Sequence, residues 1–348
     1  MILRDTGYVE PGRRLLKPWQ FLSVFVICGF LVAAAAIAEP APRGKLVDLG
    51  GHKLHVNCTG KGSPTVVVEN GLGDISANWS LVQSRVSAFT RICTYDRAGY
   101  GFSDPGPKPR TFSQINLELH DALDKLGEKG PFVLVGHSFG GPVIRNFAAT
   151  YPQQVAGMVQ VDAALEGQRV GIGGKKTIRL GEGATGKSIP HPHEEIGDSD
   201  KLGPQPQALP DELKSLDAMF KVLPDEDQKA QLWAQQRWSL YDAQNSETEW
   251  SEEYFAKWLA ASQAGILGKI PIIVLTRAEG GYRDEDSDIP AAQLEKERKE
   301  GQAKLVSLSS NSKQVIVHSG HNMNLEAPDD VTGAIREVVE AVRKNGKV

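Results

Sequence analysis

The sequence predicts an α/β fold, a mostly parallel eight-stranded sheet with helices on both faces. Three observations carry this. Eight short apolar runs recur from residue 45 onward, at 45–49, 52–58, 65–70, 91–96, 132–136, 157–162, 271–276 and 313–319. Amphipathic helical patterns lie between most of them, near 78–89, 112–127, 141–151, 291–309 and 329–344. Most of the later runs, such as FVLVG (132–136) and PIIVLT (271–276), are continuously apolar rather than alternating, as expected of strands buried on both faces.

Taken in order, KLVDL and HKLHVNC are the most polar runs and flank Gly50-Gly51, which reads as a hairpin. The third run, TVVVEN, ends in Asn70-Gly71-Leu72-Gly73, where glycine permits close backbone approach. RICTYD is the fourth. The fifth, FVLVG, passes directly into GHSFGG (136–141) and a helix that stops before Pro152. GMVQVD is the sixth. Residues 163–269 then break the rhythm and hold no clear strand. Their polar, Gly-rich stretch 167–209 is expected to be mobile. Helices are expected near 211–222, 225–243 and 247–265, carrying Trp233, Trp238, Trp250 and Trp258. PIIVLT and KQVIVHS complete the sheet. The chain therefore divides into a core of 44–162 and 270–344 and a helical lid, 163–269, inserted between strands six and seven. The lid aromatics either pack among its helices or line an apolar pocket. His191 and His193 sit in a proline-broken loop without helical spacing, so no metal site is expected there.

Of 348 residues, 40% are hydrophobic and 24% charged, with a net charge of −4, which leaves no basic footprint for nucleic acid. Arg13, Arg14 and Lys17 precede an uncharged run from Phe21 to Ala38, followed by Glu39-Pro40. Residues 1–38 are expected to be a signal peptide cleaved after Ala36-Ile37-Ala38, or a retained membrane anchor. In both cases the rest is exported: periplasmic, secreted or anchored facing outward. Ile27 before Cys28 argues against a lipoprotein. Cys58 and Cys93 remain, as one disulfide or two buried thiols.

GHSFGG raises the question of a nucleophile. A serine hydroxyl needs a base, the base needs an orienting group, and the developing oxyanion needs backbone donors. Ser138 lies between a buried strand and a helix, where the sharp turn demands small residues two positions away on each side. Gly136 and Gly140 supply them. The Phe139 N–H, at the helix N-terminus, is the expected first oxyanion donor. Leu72 N–H, in a turn that needs Gly71, is the expected second. For the base, VIVHSGHNMNLEAP (315–328) offers His318, within the strand pattern, and His321, in the loop beyond it. The loop position favours His321.

NGLG (70–73), YDRAGYGFSD (95–104), GHSFGG (136–141), VDAA (161–164) and SGHNMNLEAPDDV (319–331) together resemble the serine α/β-hydrolases of the lid-bearing esterase and lipase type, over about residues 44–344. The resemblance implies the α/β-hydrolase fold and the chain order serine, acid, histidine. It also implies that strands two and four are antiparallel neighbours, which puts Cys58 and Cys93 at one end of the sheet and favours their disulfide. The acid usually follows strand seven. There PIIVLTRAEGGYRDED offers Glu279 and Asp284, neither well placed. Some members carry it directly after strand six, where Asp162 stands. Asp162 is the expected acid, with Glu279 the alternative and Asp284 third. Asp96 and Arg97 are expected to form a buried structural pair.

The implied activity is hydrolysis of a small, apolar carboxylic ester through an acyl-enzyme on Ser138, with no cofactor and no metal. Related machinery cleaves amides, as in proline iminopeptidase-like enzymes, or carbon–carbon bonds. For the former, Glu247, Glu249, Glu252 and Glu253 would bind a free amine; otherwise they form a solvated helix face. Serine at the nucleophile position argues against dehalogenase or epoxide-hydrolase chemistry, which uses a carboxylate there. A non-catalytic binding protein on this fold is the remaining alternative.

Overall fold

The computed structural model describes residues 39–171, 176–194, 211–278, 280 and 282–348. The expected export segment, Cys28 and Glu279 lie outside the described residues.

Eight strands form the main sheet: β1 (Lys45–Asp48), β2 (Lys53–Thr59), β3 (Val66–Glu69), β4 (Ile92–Tyr95), β5 (Phe132–His137), β6 (Val155–Val161), β9 (Ile272–Arg277) and β10 (Ser312–Val317), in the spatial order β1-β2-β4-β3-β5-β6-β9-β10. β2 pairs antiparallel with both β1 and β4, and the other pairings are parallel. In β3, β5, β6 and β9 both faces are buried, and successive residues serve opposite layers. Val67, Leu134, Met158 and Val274 enter one core with Leu119 and Leu123 of α2 (Phe112–Lys125) and Ile144 and Phe147 of α3 (Gly140–Thr150). Val68, Val135, Val159 and Ile273 enter the other with Val82 and Val86 of α1 (Ser80–Val86) and Ile335, Val338 and Val339 of α8 (Pro328–Lys344). The continuous apolar runs are therefore two interleaved period-2 patterns, one for each helix layer.

Cys58 and Cys93 face each other in the β2–β4 register and form a disulfide. Asp96 and Arg97 do not pair with each other, contrary to expectation. Asp96 binds His55 and the backbone N–H groups of Ser76 and Phe102, while Arg97 turns to the opposite side of the loop. Adjacent residues of an extended segment point to opposite faces, so a contiguous pair was the wrong inference.

Residues 163–271, between β6 and β9, depart from the sequence pattern in three ways. A two-stranded antiparallel ribbon, β7 (Arg169–Gly171) and β8 (Thr177–Arg179), occupies a region with no strand signal. The helices divide at 235–237: α4 is Asp225–Ala234 and α5 runs unbroken as Trp238–Leu259. Within α5, Ser246 is buried and its hydroxyl accepts the Arg110 N–H at 3.0 Å, so the gap expected at 244–246 is held in the helix by a tertiary contact. Part of the Gly-rich stretch is also tied down: Glu252 accepts the N–H groups of Gly181 and Gly183, and Glu253 those of Thr185 and Gly186. Those partners lie 67 to 71 residues away in sequence, beyond the reach of local composition. The remaining elements are a short α7 (Met323–Glu326) and α6 (Ala291–Leu305).

Candidate active site

The candidate site gathers at the carboxyl ends of β5, β6 and β10. Ser138 has φ +50°, the left-handed region that a non-glycine residue occupies only under constraint. Two bonds impose it: the Ser138 N–H donates to Val161 O at 3.1 Å, and its carbonyl accepts the Ala164 N–H at 2.8 Å. The flanking glycines follow from crowding. A Cβ on Gly140 would lie 2.3 Å from Glu69 O, and one on Gly136 2.6 Å from Gly140 O.

Asp162 leaves β6 with φ +37°, its N–H held by Leu275 O. Its carboxylate is buried and accepts from His321 Nδ1 at 2.7 Å. The Arg277 guanidinium lies 3.4 Å from the same oxygen, and that of Arg298 3.6 Å from the other. Burial pushes the Asp162 carboxyl up, but the His321 hydrogen bond and the two arginine charges outweigh it and hold the group below the usual range. With Nδ1–H committed to Asp162, a neutral His321 ring carries its lone pair on Nε2, as a general base requires. His321 sits in the loop beyond β10, half-exposed. His318 is the residue after that strand rather than part of it, and it is exposed. Asp284 caps α6 through the Ala291 N–H at 2.7 Å, so it is occupied elsewhere.

His137 was not anticipated. It is buried between β5 and the loop of His321, with ring centroids of the two histidines 4.8 Å apart. Its Nδ1 meets an Asp74 carboxylate oxygen at 3.1 Å and its Nε2 the His321 carbonyl at 3.0 Å. Both partners are acceptors, so the geometry favours both ring nitrogens as donors, as in the imidazolium form. Accordingly, burial depresses the His137 pKa, but the Asp74 bond and charge and the His321 carbonyl outweigh it and raise the group above the usual value. The sequence signal was available: the histidine is adjacent to Ser138 and needed a partner once buried.

Leu72 and Phe139 N–H groups donate to no other group among the described residues. Gly71 is forced by crowding, since a Cβ there would lie 2.7 Å from Asp74 Oδ2. Beneath this loop Arg97 is fully buried with Glu69 and Glu247. Burial pushes the Glu69 carboxyl up to about 6 despite the opposing charge of Arg97 and the Tyr95 hydroxyl. Three of the four glutamates of α5 are not solvated: Glu247, Glu252 and Glu253 are buried and hydrogen-bonded, whereas Glu249 is exposed and pairs with Lys187 at 2.6 Å. The three buried carboxylates are therefore not free to hold an amine.

Most insertion aromatics are packing residues. Phe112 of α2 is a hub for Phe139, Tyr254, Phe255 and Trp258, with centroids 4.5 to 6.1 Å away, and Trp233 stacks on Phe102. A cavity of about 280 Å³ adjoins Asp162 and His321, lined notably by Arg169, Arg277, Arg283 and Arg298. Each of these arginines also has a carboxylate neighbour.

Comparison with known proteins adds the following. The family model described as alpha/beta hydrolase fold matches residues 64–328. The uncharacterized protein YbdG of Bacillus subtilis is 31% identical over 152 residues, covering 43% of this chain and 46% of that protein. The chain spans less than half the length of the curated relatives it matches. Among solved structures, Cfl2 of Burkholderia cenocepacia is similar with a TM-score of 0.58 at 18% identity, covering 86% of this chain and 99% of that one. A serine hydrolase involved in carbazole degradation has a TM-score of 0.57 at 16% identity, covering 86% and 99%.

Proposed function

The chain belongs to the alpha/beta hydrolase fold family, and on that premise we propose that it is an exported serine hydrolase that cleaves carboxylic esters through an acyl-enzyme on Ser138. The observation that carries this reading is the 2.7 Å bond from His321 Nδ1 to buried Asp162, in a loop whose His321 carbonyl is bound by His137, the residue preceding Ser138. His321 Nε2 takes the Ser138 proton as Oγ attacks the ester carbonyl. The oxyanion is held by Leu72 and Phe139 N–H groups. His321 then returns the proton to the leaving alcohol, and water releases the acid by the same steps in reverse.

Ester rather than peptide cleavage is supported by the burial of Glu247, Glu252 and Glu253 in hydrogen bonds, which leaves only the surface Glu249, paired with Lys187, among the α5 glutamates to meet a free amine. Residues 163–269 act as the lid. Export is supported by the Cys58–Cys93 disulfide, a bond that persists in oxidising compartments. The family fold fits a small-molecule substrate, and the Trp-rich insertion is the ground for proposing an apolar acyl or aryl group on it. The arginine-lined cavity beside His321 favours a second reading, an ester with an anionic end.

A fluorophosphonate probe tests the chemistry: wild-type protein is labelled, and Ser138→Ala and His321→Ala are not. Equal labelling of Ser138→Ala, or none of the wild type, ends the proposal. Nitrophenyl esters of increasing chain length, set beside carboxylate-ended esters and amino-acid amides, then rank the substrate classes.

A further inference from the structure

All five N–H groups of Arg97 are used. Nε and Nη2 donate to Glu247 of α5 at 2.9 and 3.0 Å. Nη1 donates to Glu69 at 2.9 Å and to the Asn70 carbonyl at 2.7 Å, and Nη2 also donates to the Gly71 carbonyl at 3.0 Å. The last bond matters most. The Gly71 carbonyl and the Leu72 N–H belong to one planar trans peptide and point in opposite directions. A cation bound to that oxygen fixes the plane and polarises the N–H on its far side.

The cation is itself set by the insertion. The bidentate Glu247 carboxylate comes from α5, and Tyr100 adds a 2.5 Å bond to it. The same helix seats on both loops. A Cβ on Gly73 would lie 2.8 Å from Gln244, one on Gly99 2.8 Å from Ala243, and the Ser239 hydroxyl donates to Gly99 O.

We infer that Glu247 and Arg97 are positioning residues that couple the seating of the lid helix to the oxyanion hole, so that the Leu72 donor is aligned only when α5 is docked. This rests on the serine-hydrolase reading above.

The test uses the full chain. Removing one oxyanion donor costs 10² to 10³ in kcat, so misaligning one costs a share of that. For Glu247→Gln, kcat on a nitrophenyl ester is expected to fall roughly tenfold with KM within about twofold. For Arg97→Lys, which cannot serve two carbonyls and two carboxylates together, the loss is roughly a hundredfold. Affinity for an aryl boronic acid, whose tetrahedral adduct occupies the hole, is expected to fall by the same factors. Tyr95→Phe, which loosens only the far side of Glu69, is the structural control, with a lowered Tm and kcat retained. Should Glu247→Gln not fold, Tyr100→Phe tests the same link, with a kcat loss of about two- to fivefold. Unchanged kcat in a folded Glu247→Gln or Tyr100→Phe, or a loss in KM that follows Tm across the series, overturns the coupling. If wild-type protein does not react with fluorophosphonate, it is the assignment of Ser138 that has failed.

Discussion

Replacing Asp162 by asparagine isolates the group proposed to orient the base His321. In the structure one carboxylate oxygen takes His321 Nδ1 at 2.7 Å, and the other faces the Arg277 N–H at 3.4 Å and Arg298 Nη1 at 3.6 Å. An amide has only one acceptor oxygen for these two sides. If its NH₂ faces His321, Nδ1 must accept and the ring proton moves to Nε2, where it blocks removal of the Ser138 proton. If its NH₂ faces the arginines, a donor is set against buried donors. The first arrangement discards the tautomer the reaction needs, and the second keeps it only against a buried donor–donor contact. The expected loss is about 10³- to 10⁴-fold in kcat, which is about 4 to 5.5 kcal/mol of transition-state stabilisation at 1.36 kcal/mol per tenfold. Stopped-flow acylation with nitrophenyl acetate reads the step directly, and the rate of fluorophosphonate labelling reads it without turnover. Activity within about tenfold of wild type would refute the assignment of Asp162, and a large loss in Glu279→Gln would transfer the role to that residue.

Two further tests concern stability. Cys58 and Cys93 are 35 residues apart in sequence, so replacing both by serine is expected to cost about 4 kcal/mol by the chain-entropy model, read as a lower urea midpoint; an unchanged midpoint contradicts it. Glu118, against Arg110 at 2.5 and 2.7 Å, is raised by burial but pulled by that charge and its hydrogen bonds down to about 2. A depressed carboxyl stabilises the fold above its unfolded value of 4.5 and loses that contribution as pH falls toward 2. The Tm difference between wild type and Glu118→Gln is therefore expected to shrink from pH 5 to pH 2, and a constant difference counts against it.

The layered sheet was legible because burial on both faces writes itself as unbroken apolar runs, and the elbow because sterics leave glycine alone at 136 and 140. Asp162 could be placed from its exit off a buried strand. What escaped notice was set by distant partners. Glu252 and Glu253 read as solvent-facing because the backbone donors they hold lie in a loop far back in the chain. Arg97 read as a partner for Asp96 because neighbours in sequence suggested a pair, whereas strand geometry sends them apart. His137 carries no local signal of its partners, because Asp74 and the His321 carbonyl lie 63 and 184 residues away in sequence. The ribbon at 169–179 has three-residue strands, too short for any periodicity to register.

The β5–β6 register has a consequence for the order of assembly. His137 pairs with Val161, so Ser138 and Asp162 are each the next residue beyond a matched rung. One βαβ unit of about thirty residues thus fixes both the proposed nucleophile and its proposed acid. The base arrives from residue 321, after the whole insertion and two more strands have been made. A chain missing its last thirty residues lacks both the proposed base His321 and α8, which covers one face of the sheet. On the proposed assignment, competence therefore waits for the C-terminal segment to dock, however early the turn that carries Ser138 is made.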